Sequence, residues 1–158
     1  MKVSIICVGK IKEKFYTDAI NEYAKRMKRF ADFEVIEVAD ERLPENASEK
    51  EIEQLKKREG EKILTKIKPH SYVITLCIEG KTLNSEELAD TIKNACLTTS
   101  HIVFIIGGSC GLSDEVKNKS ALRLSFGRMT LPHQLMRVVL SEQIYRSFMI
   151  NSGAEYHK

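Results

Sequence analysis

Tryptophan is absent from this 158-residue chain, proline occurs only three times and glycine eight times. So little of the residues that punctuate structure excludes collagen-like and Pro/Gly-rich disordered chains. No apolar run approaches the ~20 residues that a membrane-spanning helix needs. The four cysteines, Cys7, Cys77, Cys96 and Cys110, form no C-x-x-C pair. Reduced structural thiols and no metal site are therefore expected. A P-loop is excluded, because no Gly-Lys-Ser/Thr follows the glycine-rich stretch Gly107-Gly-Ser-Cys-Gly111 and the Gly80-Lys-Thr82 triplet lacks the earlier glycine, and no G-x-G-x-x-G dinucleotide fingerprint follows the first apolar run. The start carries no secretory pattern, since Met1-Lys2 leads straight into Val3–Val8 and then Gly9-Lys10. The expected location is cytoplasmic.

What is present is an ordinary globular composition, 42% hydrophobic and 30% charged. A chain of this length is expected to form one domain, residues 1–158, and to bury roughly 70% of its unfolded surface without disulfides or metal. The net charge of +3 is unevenly spread: residues 71–118 hold three basic and six acidic groups, residues 119–158 six basic and two acidic. A basic excess gathered at one end suits a polyanionic partner better than the overall charge suggests.

Val3–Val8, stopped by Gly9, reads as a buried strand. Phe15, Ala19, Ile20, Tyr23, Ala24, Met27 and Phe30 recur at helical spacing, and Phe33 to Val38 alternates as a second strand. Ser48 with Glu51 three residues on predicts a capping box opening a helix with an Ile52, Leu55, Ile63, Leu64, Ile67 stripe, ended by Lys68-Pro69. Its charged side, including Lys56, Lys57, Arg58, Glu59 and Glu61, reads as a solvated surface. A third strand, Tyr72–Ile78, is closed by Gly80. Asn84 with Glu87 caps a helix burying Leu88, Ile92, Ala95 and Cys96. His101–Ile106 forms a fourth strand, a short helical turn starts near Ser113, and Leu122–Phe126 is a fifth strand. The last helix begins near Pro132, as the first helical residue, and runs to about Ile150. Alternating strands and helices predict an α/β fold with a mostly parallel sheet flanked by helices.

Three stretches could carry chemistry. Ile105-Ile-Gly-Gly-Ser-Cys-Gly-Leu112 is a glycine-rich turn at the carboxyl end of a buried strand, where open α/β sheets bind ligands. Phe126-Gly-Arg-Met-Thr-Leu-Pro-His-Gln-Leu-Met-Arg137 is a loop feeding a helix, with His133 and Arg137 four apart on one face. A helix N-terminus disfavours a protonated imidazole, which keeps His133 neutral. The end of the chain, Glu155-Tyr-His-Lys158, follows a flexible Asn151-Ser-Gly153 stop and joins an aromatic, an imidazole and an ammonium suited to base stacking and phosphate contact. Arg146, four residues after Glu142, predicts a surface ion pair.

Val3 to Lys10, Val73-Ile-Thr-Leu, Phe104-Ile-Ile-Gly-Gly, Met129-Thr-Leu-Pro-His-Gln-Leu-Met-Arg-Val-Val-Leu140, Glu142-Gln-Ile-Tyr-Arg146 and Tyr156-His157 together resemble the RlmH family. These are SPOUT (α/β-knot) methyltransferases that modify N3 of a pseudouridine in 23S ribosomal RNA. The resemblance spans the whole chain. It implies a C-terminal trefoil knot, an antiparallel homodimer and S-adenosylmethionine held by Leu76, Gly107, Phe126, Gly127, Arg128, Met129, Thr130 and Leu131. It also implies that the imide N3 loses its proton to His133 or His157, two candidates that the sequence leaves open. Arg137 would neutralise RNA phosphate and Tyr156 would stack on a base. The apolar residues of the last helix cover more than one face, a surplus that a second copy would bury. The competing reading is a small α/β nucleotide- or flavin-binding protein with no RNA activity.

Overall fold

A computed structural model describes residues 1–158 and contains one five-stranded, all-parallel sheet in the order β2-β1-β4-β3-β5. The strands are β1 (Lys2–Val8), β2 (Asp32–Val38), β3 (Tyr72–Thr82), β4 (His101–Ile106) and β5 (Leu122–Ser125). Between and after them come α1 (Lys14–Met27), α2 (Glu49–Leu64), α3 (Ser85–Cys96), α4 (Asp114–Lys117) and α5 (His133–Asn151). The α/β expectation holds. No helix is long and apolar enough to cross a membrane.

Because β1 and β4 are central and carry helices on both sides, their side chains are apolar on both faces. Ile5, Cys7, Phe104 and Ile106 join Ile92, Leu140 and Ile144 on the face covered by α1, α3 and α5. Ile6, Val103 and Ile105 join Ile63 and Val116 on the face covered by α2 and α4. Burial pushes the Cys7 thiol up to about 12, so this cysteine is structural.

Both predicted capping boxes form. Ser48 Oγ accepts from the Glu51 amide at 3.2 Å while the Glu51 carboxylate accepts from the Ser48 amide at 3.3 Å. The equivalent Asn84–Glu87 bonds are both 2.8 Å. Pro132 differs from expectation: it stands just before α5, whose first residue is His133, and supplies no side-chain cap. α2 ends at Leu64, before Lys68-Pro69.

Gly80 does not close β3. The strand continues to Thr82 through a register shift against β5, and a Cβ on Gly80 would lie 2.7 Å from the Arg123 carbonyl group. The glycine permits a close backbone approach within the sheet. Glu59, expected on the solvated side of α2, is instead buried at 4% exposure. Lys57, Arg58 and Glu61 stay exposed as expected, while Glu59 and Gly60 turn inward, Gly60 directly against Ser113.

α5 is wrapped by its own chain. Leu140, Ile144, Tyr145, Phe148 and Met149 are buried, and Ser141 and Ser147 return their hydroxyls to carbonyls four residues back at 2.7 and 2.8 Å. Much of its apolar surplus is thereby satisfied within one copy. Asn151-Ser-Gly153 is an ordered reversal: Gly153 takes φ +73°, and the amides of Gly153 and Ala154 donate to Ile150 and Met149 carbonyls.

At the amino-terminal edge of the sheet, His101 is buried with both ring nitrogens bonded. Ser71 Oγ lies 3.2 Å from Nδ1, and Nε2 lies 2.8 Å from Ser4 Oγ, which donates onward to Glu34 at 2.9 Å. Since Ser4 spends its proton on Glu34, it accepts from His101, placing the imidazole proton on Nε2.

Candidate active site

The opposite, carboxyl-terminal edge is open. The turn after β4 leads to α4 on one face, whereas the turns after its neighbours β1 and β3 lead to helices on the other face. Loops that diverge in this way leave a crevice between them. Here two crevices form, one on each side of the glycine turn.

That turn is built tightly. Gly108 and Gly111 form an isolated bridge, and Gly111 adopts φ +82°. A Cβ on Gly107 would lie 2.9 Å from the Gly111 backbone, so this glycine is required by the turn itself. Ser125 Oγ accepts from the Gly127 amide at 3.1 Å, and Gly127 adopts φ +107°, bending the loop after β5 toward the same place.

The first crevice, of about 490 Å³, lies where the ends of β3, β4 and β5 meet. Leu76, Gly107, Phe126, Gly127, Met129, Thr130 and Leu131 all line it, together with His133 and Met136. Arg128, in the same loop, does not line it. The structure adds Ile78 and the Glu79–Lys117 ion pair, 2.6 Å long, to its wall. Sequence reasoning missed the ion pair because its partners stand 38 residues apart, on β3 and α4. Largely apolar walls with backbone amides of a glycine turn suit a flat, partly polar ligand.

The second crevice, of about 520 Å³, lies between the ends of β1, β2 and β4 and is lined mostly by polar residues, the carboxylates Glu37, Asp40, Glu41 and Glu59 beside Lys10, Lys12 and Arg137. His133 lines both crevices. Partial desolvation first, and the nearby Arg137 charge second, hold its pKa below the ordinary histidine value. Its neutral form is therefore favoured near pH 7 and can accept a proton.

Arg137 does not face RNA phosphate. It is only 1% exposed, pairs with Glu37 at 2.7 Å, and donates to the carbonyls of Val8 and Gly9 at 3.1 and 2.9 Å. It ties α5 to the loop after β1. Its Nε and Glu59 Oε1 are the two buried side-chain polar atoms without a hydrogen-bond partner. Burial raises the Glu59 pKa, although its Oε2 accepts from the Glu41 amide at 2.9 Å.

The end of the chain is packed, not frayed. Tyr156 meets the Tyr145 ring edge-on at 5.0 Å and donates to Glu142 at 3.2 Å. The Glu142–Arg146 pair forms as expected at 2.6 Å, and the Arg146 guanidinium also covers the Tyr156 ring. His157 Nε2 lies 2.8 Å from Glu86, and Nδ1 lies 3.1 Å from Arg146. His157 thus lines a neighbouring pocket that shares Phe126 and Gly127 with the first crevice. No cluster of three or more metal-ligating side chains forms anywhere.

A family model described as "Predicted SPOUT methyltransferase" matches residues 1–157. The chain belongs to the SPOUT methyltransferase family. Its relatives include proteins named ribosomal RNA large subunit methyltransferase H from Lactococcus lactis subsp. cremoris (strain SK11), 58% identical, and Clostridioides difficile (strain 630), 55% identical. Each alignment covers 100% of both chains. Among solved structures, one described as "a probable methylase family protein" from Haemophilus influenzae Rd KW20 matches with a TM-score of 0.53 and 15% identity, over 99% of this chain and 70% of that one. That likeness supports the SPOUT fold. The relatives' names support the resemblance to the RlmH family and give none to a flavin-binding protein.

Proposed function

We propose that this protein is a cytoplasmic, single-domain methyltransferase that uses S-adenosylmethionine to methylate N3 of a pseudouridine in 23S ribosomal RNA. The observation that carries the reading is the meeting of Leu76, Gly107 and the Phe126–Leu131 loop on one crevice beside His133. The cofactor fits this donor set: apolar side chains from Leu76, Leu131 and Met136 can enclose an adenine, and the glycine turn offers backbone groups to its polar edge. When bound, S-adenosylmethionine supplies an electrophilic methyl group. The chain supplies placement, since most of the acceleration of a methyl displacement comes from holding the acceptor nitrogen in line. His133, the imidazole that lines the crevice, accepts the imide proton, with Arg137 fixing the loop opposite. His157, whose pocket shares Phe126 and Gly127 with the first crevice, and Tyr156 beside it in the chain close over the nucleotide in a homodimer whose chains each carry the C-terminal trefoil knot. Tritiated methyl transfer from S-adenosylmethionine to ribosomes taken from cells lacking this protein tests the activity. Incorporation into 23S RNA supports it, and none overturns it.

A further inference from the structure

Apart from His133 and the Arg137 tie, the second crevice and the outer face of the loop beside it are not used by the chemistry above. The loop between β1 and α1 carries Lys10 and Lys12, both exposed and neither paired with a carboxylate. Lys14, by contrast, is held by Asp18. Next to them the Phe15 ring stands 64% exposed, backed by Tyr16 at 4.4 Å between centroids. A large aromatic left in water among free ammonium groups is the surface composition that single-stranded nucleic acids recognise, phosphates on the lysines and a base on the ring.

The loop is pinned. The Ile11 amide donates to Glu37 at 2.9 Å, the Lys12 amide to Gln134 at 3.3 Å, and Arg137 to the Gly9 carbonyl at 2.9 Å. Little ordering cost therefore remains to be met on binding. Lys10 and Lys12 also line the second crevice, which shares Gly108, Ser109 and His133 with the first. A strand lying on the loop leads directly to the imidazole between the two crevices.

We propose that the β1–α1 loop is the docking surface for single-stranded RNA flanking the methylated nucleotide, with Lys10 and Lys12 holding phosphates and Phe15 stacking on a neighbouring base. This rests on the RNA substrate proposed above and goes beyond it by naming the surface. These contacts read backbone and base planes, so they position the strand without selecting sequence.

The test uses the full-length protein, Lys10→Gln/Lys12→Gln and Phe15→Ala, with ribosome binding measured by filter retention over a salt series. Circular dichroism and S-adenosylmethionine calorimetry should be unchanged in each variant. Losing two phosphate contacts should lower the slope of log affinity against log salt by about 1.4, at roughly 0.7 per phosphate for a single strand. Phe15→Ala should weaken binding roughly 5- to 150-fold, the equivalent of one base stack, and Phe15→Trp should restore it. Unchanged salt slope and affinity in these variants would overturn the surface. So would a change in dimer mass by light scattering with RNA affinity intact, since the loop would then be a contact between copies. Wild-type protein that binds with this salt dependence but transfers no methyl group would remove the activity and still support the surface.

Discussion

The two edges of the same sheet solve the burial of polar groups in opposite ways. At the amino-terminal edge His101, Ser4, Ser71 and Glu34 form a closed relay in which both ring nitrogens of the histidine are satisfied. At the carboxyl-terminal edge lie the two buried polar atoms without partners, on Glu59 and Arg137, and an imidazole left open between two crevices. A satisfied network fixes structure, whereas unmet hydrogen-bonding capacity is costly and tends to accompany function. Strands of one sheet thus carry a sealed end and a working end.

The largest effects should come from the working end. Removing Ala154 to Lys158 should abolish methyl transfer to ribosomes. It should also cost ~1 kcal/mol in urea unfolding, because the Tyr156–Tyr145 contact is lost. Full activity in the truncated chain would detach the tail from the site. His133→Asn should lower kcat by about 10²- to 10⁴-fold, the usual worth of a general base, with the unfolding midpoint nearly unmoved. An unaffected kcat would transfer the role of base to His157.

Arg137→Met should cost ~3 kcal/mol of stability, since the Glu37 carboxylate and two main-chain carbonyls lose their donor. A near-neutral result in urea titration would mean that the tie between α5 and the β1–α1 loop is dispensable. Gly127→Ala places a side chain at φ +107° with no atom within 4 Å of the new Cβ, so any effect is backbone strain alone. It should weaken S-adenosylmethionine binding by about 1–2 kcal/mol in calorimetry.

The smallest effect belongs to the sealed end. Desolvation first, then the charges of Lys2 and Lys68, hold the His101 pKa below its ordinary 6.5. The folded state therefore binds its proton less readily than the unfolded chain. The resulting stability is present above pH 6.5 and is lost as the pH falls through the lowered folded value. His101→Gln should flatten the stability profile below pH 6.5, measured by denaturant titration. A mutant profile parallel to wild type there would show that the relay does not gate protonation.

The two edges also differ in how much of them could be read from the sequence. Helix starts such as Ser48 and Asn84 are legible because capping uses residues three apart. Apolar strands are legible because both faces are covered. Glycines, strand ends and the His133–Arg137 spacing pointed to the turn and to the Phe126–Arg137 stretch, but the cofactor role of the Phe126–Leu131 loop was reached through family resemblance alone. Arg137 was misread because its partners, Val8, Gly9 and Glu37, lie at least 100 residues away. Gly80 was misread because the close neighbour that requires a glycine belongs to β5. That the tail is packed and not loose was hidden for the same reason, since Glu86 and Tyr145 become its neighbours only on folding.

The tie between Arg137 and the first loop also sets an order in time. A chain is made from its amino terminus, so β1, β2 and the loop between β1 and α1 leave the ribosome long before α5 does. Yet β1 pairs with β4, and the loop after it is fastened by a guanidinium from the last helix. A chain that stops before α5 lacks part of the wall of each crevice. Both crevices gain their full lining only once α5 has emerged and docked, because His133 lines both, Met136 the first and Arg137 the second.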